Sequence, residues 1–215
     1  MKFVGRDEKL EELHVQLQSG KRLAITAIKG MGGIGKTELA LQYAIAQFEA
    51  GRYPGGICWL RAREQEVATQ ITAFAQTHLG LTLPELEIDG QVRYCWQHWP
   101  AGEVLVVIDD VTGYDKIEAY LPPSDPRFRL LLTTRLNLGR SVESFDIEEL
   151  DEASALALLE GILADGRVQA QWAKAKELCG WVGYLPLGLE LLGRYLADDE
   201  DLSIQELLEE LEETR

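Results

Sequence analysis

The hydrophobic positions of residues 1–150 alternate between two patterns. Short β-branched runs read as strands: "RLAITAI" (22–28), "GGICWL" (55–60), "EVLVVIDD" (103–110), "RLLLTTR" (129–135) and the weaker "ESFDIEEL" (143–150). The run at 103–110 is continuously apolar until its end, as expected of a parallel strand covered on both faces. Between these runs, apolar residues recur at helical spacing. Leu39, Tyr43 and Phe48, with Ala40, Ala44 and Ile45, predict a helix opening near Lys36. Val67, Ile71, Phe74 and His78 predict another. Val92, Cys95, Trp96 and Trp99 predict a third, stopped by Pro100 and Gly102. Residues 79–90 predict a loop. Strands alternating with helices predict an α/β fold, a doubly wound parallel sheet of about five strands with ligand at their carboxyl ends.

After Leu150 only helical periodicity remains. Leu156, Leu159 and Leu163 share one face, and Val168, Trp172, Ala175 and Cys179 share another. "LPLGLELLGRYLA" follows a break, and Ile204, Leu207, Leu208 and Leu211 predict a last helix. The expected organisation is a sheet domain over 1–150 and a small all-α subdomain over 151–215. The Asp- and Glu-rich tail from Asp198 reads as a solvated helix face.

Composition narrows this picture. A 46% hydrophobic, 27% charged chain of 215 residues is an ordinary globular balance. The net charge of -15 argues against a nucleic-acid groove, which needs a basic surface, but not against a compact anion site built from backbone N–H groups. The three cysteines, Cys58, Cys95 and Cys179, are far apart and form no C-x-x-C pair, which suits a reducing compartment and no zinc site. "MKFVGRDEKL" has no apolar leader segment, and no apolar run approaches the ~18 residues of a membrane span. These features predict a cytoplasmic protein without a membrane partner.

The candidate chemistry centres on "GMGGIGKT" (30–37), which fits both G-x-G-x-x-G and G-x-x-x-x-G-K-[ST]. The dinucleotide fingerprint calls for an acidic residue ~20 positions on, at the end of the second strand. That strand ends "CWLRARE", with Arg61 after it and the first acid only at Glu64. The phosphate-binding loop explains more. Its glycines let successive N–H groups surround phosphates, Lys36 neutralises the β- and γ-phosphates, and the Thr37 hydroxyl binds Mg²⁺. The loop also follows a strand and opens a helix whose dipole favours anions. Gly32, Gly33, Ile34, Gly35, Lys36, Thr37 and Glu38 are the expected nucleotide contacts.

A second hydrophobic strand should end in an acid that holds the metal, and "VLVVIDD" supplies Asp109 for that shell. Asp110 then faces the attacking water as a weak base or an orienting group. The plainer alternative is that both aspartates favour the following turn. Arg135, at the end of "LLLTTR", is positioned by sequence to reach the γ-phosphate, or is an ordinary solvated strand-exit arginine. Thr133 and Thr134 read as strand formers that fill sheet space.

In order, the stretches are "FVGRDEKLEEL", "GMGGIGKTELA", "VLVVIDDV", "LLLTTR" and "GYLPLGLELLG". This set resembles the NB-ARC family of STAND nucleotide-binding switches, which includes apoptotic protease-activating factors, plant disease-resistance proteins and many bacterial relatives. The resemblance covers essentially the whole chain. It implies that Val4, Gly5 and Arg6 lie over the adenine side of the nucleotide and that Pro186 contacts the base. From sequence alone, "GRDEKLEEL" is also a helix start and Pro186 a helix-starting proline. The glycine of the family's G-L-P-L motif is Tyr184 here, which bears on the local backbone shape. The family's following winged-helix subdomain, whose histidine contacts the β-phosphate of ADP, is expected outside these 215 residues, as are sensor and effector modules. His14, His78 and His98 read as ordinary helix or surface histidines.

The resemblance implies an ATP/ADP switch with Mg²⁺: an ADP-bound closed monomer, an ATP-bound form that oligomerises in the full-length protein, and slow hydrolysis involving Lys36, Asp110 and Arg135. An AAA+-type motor shares the loop and the acidic strand but usually carries Asp-Glu at the strand end. A P-loop small-molecule kinase would need an Arg-rich lid, and no such stretch is visible in the sequence.

Overall fold

The computed structural model describes residues 5–19, 22–27, 32–136, 138 and 142–213. Val4, Gly30 and Met31 of the predicted site lie outside that set. The elements run α1 (Asp7–Gln18), β1 (Leu23–Ala27), α2 (Lys36–Glu49), β2 (Ile57–Arg61), α3 (Val67–Leu79), α4 (Ile88–Gln97), β3 (Val104–Val111), a 3₁₀ turn (Glu118–Tyr120), β4 (Phe128–Thr134) and β5 (Glu143–Ile147). They continue with α5 (Glu152–Leu163), α6 (Arg167–Ala170), α7 (Trp172–Trp181), α8 (Pro186–Asp198) and α9 (Ile204–Glu213). Two compact units emerge. One holds residues 8–30 and 36–147, and the other holds 1–7, 31–35 and 148–215. No helix among the described residues is long and apolar enough to cross a membrane.

The first unit is a five-stranded, all-parallel sheet in the order β2-β3-β4-β1-β5. The sequence explains the order. β4 is buried along its whole length and β3 at all but one position, so these strands need a neighbour on each side and a cover on each face. β5 buries only Phe145 and Ile147, the alternation of an edge strand. One core cluster places β2, β3 and β4 under α3 and α4, with Ile71, Ala75, Val92, Cys95, Val106, Ile108 and Leu130 at its centre. On α2 the buried residues are Lys36, Leu39, Ala40, Tyr43 and Ala44, whereas Phe48 and Ile45 turn outward. The expected apolar stripe of that helix is therefore narrower than its sequence suggests. His14 on α1 lies 3.1 Å from the Tyr43 hydroxyl and accepts from Arg52, a structural linkage rather than a lone surface imidazole.

The amino end of the sheet is closed by aromatic rings. Trp99 stacks on Phe74 and on Trp96, and its indole N–H donates to the Gly55 carbonyl at 3.0 Å. The carboxyl end is left to the functional loops, the usual place for ligands in open α/β sheets.

β3 and β4 shift by one residue from expectation, β5 ends at Ile147 rather than Leu150, and two further boundaries move for a visible reason. β2 begins at Ile57 rather than Gly55, because Gly56 takes a left-handed φ of 101°. α4 begins at Ile88, so Gly90 sits in a first turn instead of a loop, with Leu86 packed into the space a side chain would fill.

The helical unit is built on Leu156, Leu159, Ala175, Leu178, Leu189, Leu196, Ile204 and Leu207. α5 and α8 approach closely at Gly193, where a Cβ would lie 2.9 Å from Ile162. The single apolar face expected over Val168–Cys179 is divided between α6 and α7 at Gln171, which leaves Trp172 44% exposed. Asp151 caps α5 by accepting from the Ser154 N–H at 2.8 Å and from its hydroxyl. Those bonds hold the Asp151 carboxyl below its ordinary range.

Tyr184 answers the question its side chain raised. It adopts φ 56°, the left-handed conformation for which glycine is the default, while its N–H donates to the Cys179 carbonyl and its carbonyl accepts from Leu150 N–H. A non-glycine residue here bears a left-handed backbone, at a cost of ~1 kcal/mol or more. Tyr184→Gly should therefore leave stability within about 1 kcal/mol of the parent, lost ring packing offsetting relieved strain, whereas the β-branched Tyr184→Val should destabilise by roughly 2 kcal/mol or more. Urea denaturation of the three proteins checks this, and equal losses for glycine and valine would assign the position to ring packing alone.

Candidate functional site

In the sheet unit the site forms where β3 ends. Ile108 pairs with Leu132 and Val111 with Thr134, so Asp109 and Asp110 together oppose the single residue Thr133, a β-bulge. Asp110 is left-handed, with φ 54°. The two carboxylates beside this bulge take different partners. Asp109, 8% exposed, accepts through Oδ1 from the Thr37 hydroxyl at 2.7 Å and from the Thr133 hydroxyl at 2.5 Å. Asp110 instead pairs with Arg63, whose Nε lies 3.0 Å from Oδ2, while the Asp110 N–H donates to Thr133 Oγ1 at 2.9 Å.

Lys36 and Thr37 open α2 directly after the glycine-rich loop. Lys36 is buried. Burial and the nearby Arg135 charge lower its pKa from the ordinary lysine value, and Asp110 acts in the opposite direction. The charges of Arg135 and Asp110 thus both bear on Lys36, in opposite directions. Arg135 itself is exposed at the exit of β4. Glu38 faces solvent in the first turn of α2 and accepts from Gln42 at 2.8 Å.

The loop residues 32–35 belong to the helical unit. Gly33 and Gly35 have φ of 79° and 92°, conformations that only glycine takes without strain. Two contacts hold this stretch from outside. Arg6, 6% exposed, donates to the carbonyls of Ile34 at 2.7 Å, Glu148 at 2.9 Å and Gly35 at 3.5 Å. Leu187 N–H donates to the Gly33 carbonyl at 3.2 Å. Burial lowers the Arg6 pKa. Gly5, with φ 75°, lies against Ser154 so closely that a Cβ would overlap its hydroxyl, which explains why "VGR" carries glycine there. Pro186 is the first residue of α8 and approaches Gly35, to within 3.9 Å of where a Cβ would sit.

Mg²⁺ takes hard oxygen ligands and is usually held by one or two carboxylates together with substrate phosphates and water. The Thr37 hydroxyl and the Asp109 carboxylate, 2.7 Å apart, fit that donor set. Among the described residues no group of three or more His, Cys, Asp or Glu side chains forms a dedicated metal cage, as expected where phosphates complete the shell.

Two residues in this arrangement were not legible as site residues. Thr133, expected to fill sheet space, bonds both aspartates. Its place as the first residue of "TTR" is visible in the sequence, but the bulge that gives it two partners is not. Arg63 lies beyond β2 in "RARE", where the sequence offered only the absence of a ribose-binding acid.

Comparison with known proteins agrees with this geometry. Residues 6–167 match the model of the NB-ARC domain. Disease resistance RPP8-like protein 3 of Arabidopsis thaliana is 29% identical over 218 residues, covering 94% of this chain and 24% of the relative. Regulatory protein AfsR of Streptomyces coelicolor is 26% identical over 228 residues, covering 99% and 23%. The chain therefore spans about a quarter of the length of the curated relatives it matches. Among solved structures, C. elegans PCH-2 aligns with a TM-score of 0.59 at 11% identity over 94% of this chain and 66% of that one. The Aeropyrum pernix ORC1 protein in complex with DNA aligns at 0.58 and 16% over 91% and 61%. At those identities the likeness is one of fold. The match over residues 6–167, most of the chain, gives the family: this chain belongs to the NB-ARC nucleotide-binding domains.

Proposed function

We propose that this chain is the adenine-nucleotide switch module of a longer STAND protein, with residues 1–150 as its nucleotide-binding domain and 151–215 as its first helical subdomain. ADP holds the off state, ATP the on state, and hydrolysis is a slow reset. The observation that carries the reading is the 2.7 Å contact between the Thr37 hydroxyl and Asp109 beside a buried Lys36. Those are the groups that phosphate and Mg²⁺ require, at the carboxyl end of a parallel sheet.

In this reading Gly32, Gly33, Ile34 and Gly35 supply backbone N–H groups to the phosphates, and Lys36 supplies the cation. Thr37 and Asp109 hold the magnesium ion, which neutralises phosphate charge when bound. Arg135 senses the γ-phosphate. Its electrostatic effect on Lys36 supports that role, since two cations converging on one locus favour a highly charged anion. An anion bound there would raise the Lys36 pKa again. Asp110 orients the attacking water. Its pairing with Arg63 and the short reach of an aspartate both support slow turnover rather than a motor's cycle. Gly5, Arg6 and Pro186 serve the adenine side, a role carried from the family resemblance. A switch of this kind needs a nucleotide with different affinity for two conformations, which the full-length protein supplies through domains beyond this chain. Homo-oligomerisation in the ATP state and a cytoplasmic location belong to the same reading.

Two substitutions test it. Lys36→Ala should abolish tight binding of ADP and ATP in isothermal titration calorimetry, and unchanged affinity would remove the phosphate-loop assignment. Asp110→Ala should bind ADP like the parent and lower an ATP turnover that is already below about 1 s⁻¹, the low end of typical enzyme rates. Loss of ADP binding in that variant would show that the two aspartates divide their work differently.

A further inference from the structure

We propose that Thr133 is the positioning residue of the site, the group that orients the Asp109 carboxylate beside Thr37 and ties the Asp110 amide into the bulge. The inference rests on the nucleotide-and-magnesium reading above and adds to it a residue that touches neither ligand.

The argument begins with the ladder. Two residues of β3 face one of β4, so the bulge disrupts the local ladder and leaves an extra residue unpaired by it. A buried N–H without a partner is destabilising, and native structures rarely leave one. Here the Asp110 N–H donates to Thr133 Oγ1 at 2.9 Å. A hydroxyl has one proton, and Oγ1 uses that proton on Asp109 Oδ1. The chain of donation is therefore fixed in direction, from backbone N–H to hydroxyl to carboxylate. Thr133 is 2% exposed, so bulk water does not readily substitute for it.

This arrangement sets the rotation of the Asp109 carboxylate. Oδ1 is held between two hydroxyls, Thr133 from β4 and Thr37 from α2. Hydrogen bonds to an ionised acceptor are stronger than neutral ones, and they fix geometry as well as adding energy. Partners of this kind commonly matter to a metal site almost as much as the ligands themselves. A threonine suits the position because its β-branched side chain is stiff at χ1 and favours a strand. Valine has nearly the same shape and lacks the hydroxyl. Serine keeps the hydroxyl and lacks the methyl.

The experiment compares Thr133→Val and Thr133→Ser with the parent. ADP affinity is measured in EDTA, the Mg²⁺ concentration giving half-maximal ATP affinity is titrated, and ATP turnover is followed. Thr133→Val should raise the Mg²⁺ requirement and lower turnover by about tenfold or more, with metal-free ADP affinity within about twofold of the parent, and Thr133→Ser should stay near the parent in all three. The proposal is overturned if valine leaves the Mg²⁺ requirement unchanged, if valine also removes metal-free ADP binding, or if serine fails as badly as valine. Hydrogen exchange at the Asp110 amide supplies a reading without nucleotide, since Thr133→Val should speed it by about tenfold or more. If the parent bound no nucleotide, the functional reading would fall, and this exchange rate would still decide whether Thr133 holds the bulge: acceleration supports it and an unchanged rate overturns it.

Discussion

Asp109 Oδ1 accepts two hydroxyl protons, one from Thr37 at the start of α2 and one from Thr133 on β4. Three elements meet at that single oxygen, and each has to be in register for the contact to form. β3 and β4 must pair through Ile108–Leu132 and then slip by one residue. The phosphate loop must deliver Thr37 one residue after a buried lysine. A hydrogen bond to a buried charge contributes about 1.5–3 kcal/mol, so losing one donor matters more here than losing an exposed ion pair such as Arg63–Asp110. The contact also prepares the function. The hydroxyl and carboxylate proposed to hold magnesium are already adjacent, so little reorganisation is needed when a nucleotide brings the metal.

In the helical unit the glycine-rich residues 32–35 are held by their own set of contacts. Glycines 33 and 35 occupy left-handed conformations, and their neighbouring carbonyls are taken up by Arg6 and by the N–H of Leu187. Backbone that curls around phosphate leaves carbonyl oxygens on its other side, and a buried arginine with its fork of donors is well suited to satisfy several at once. Arg6 thus has a structural task within this unit, alongside the adenine-side role that the family resemblance gives it. Tyr184, next to the left-handed Gly183, itself takes a left-handed conformation at the entrance to α8.

Much of this was readable from residue order. The continuous apolar run at 103–110 marked a strand covered on both faces, whereas "ESFDIEEL" read only as a weaker strand, and its edge position emerged from the sheet order and the burial of Phe145 and Ile147. "GKT" and "IDD" marked the site because few other arrangements require those residue types at strand ends. Thr133 was hidden because its role depends on a bulge, and one extra residue in a strand leaves no mark in hydrophobic spacing. Arg63 was hidden because its partner comes from a neighbouring strand 47 positions away in number. Phe48 helped identify α2 but lies outside the face that α2 buries. Helical spacing identifies a stripe, but the sheet beneath determines how wide a stripe is covered, and Phe48 falls outside it with 76% of its surface exposed.

The central claim is that this site holds an adenine nucleotide as a switch. The most direct measurement is the identity of the nucleotide released when freshly purified protein is denatured, read by chromatography and mass spectrometry. The account predicts ADP in near-equal proportion to protein. A guanine nucleotide, or a protein that carries none and binds no ADP when it is supplied with Mg²⁺, would contradict it.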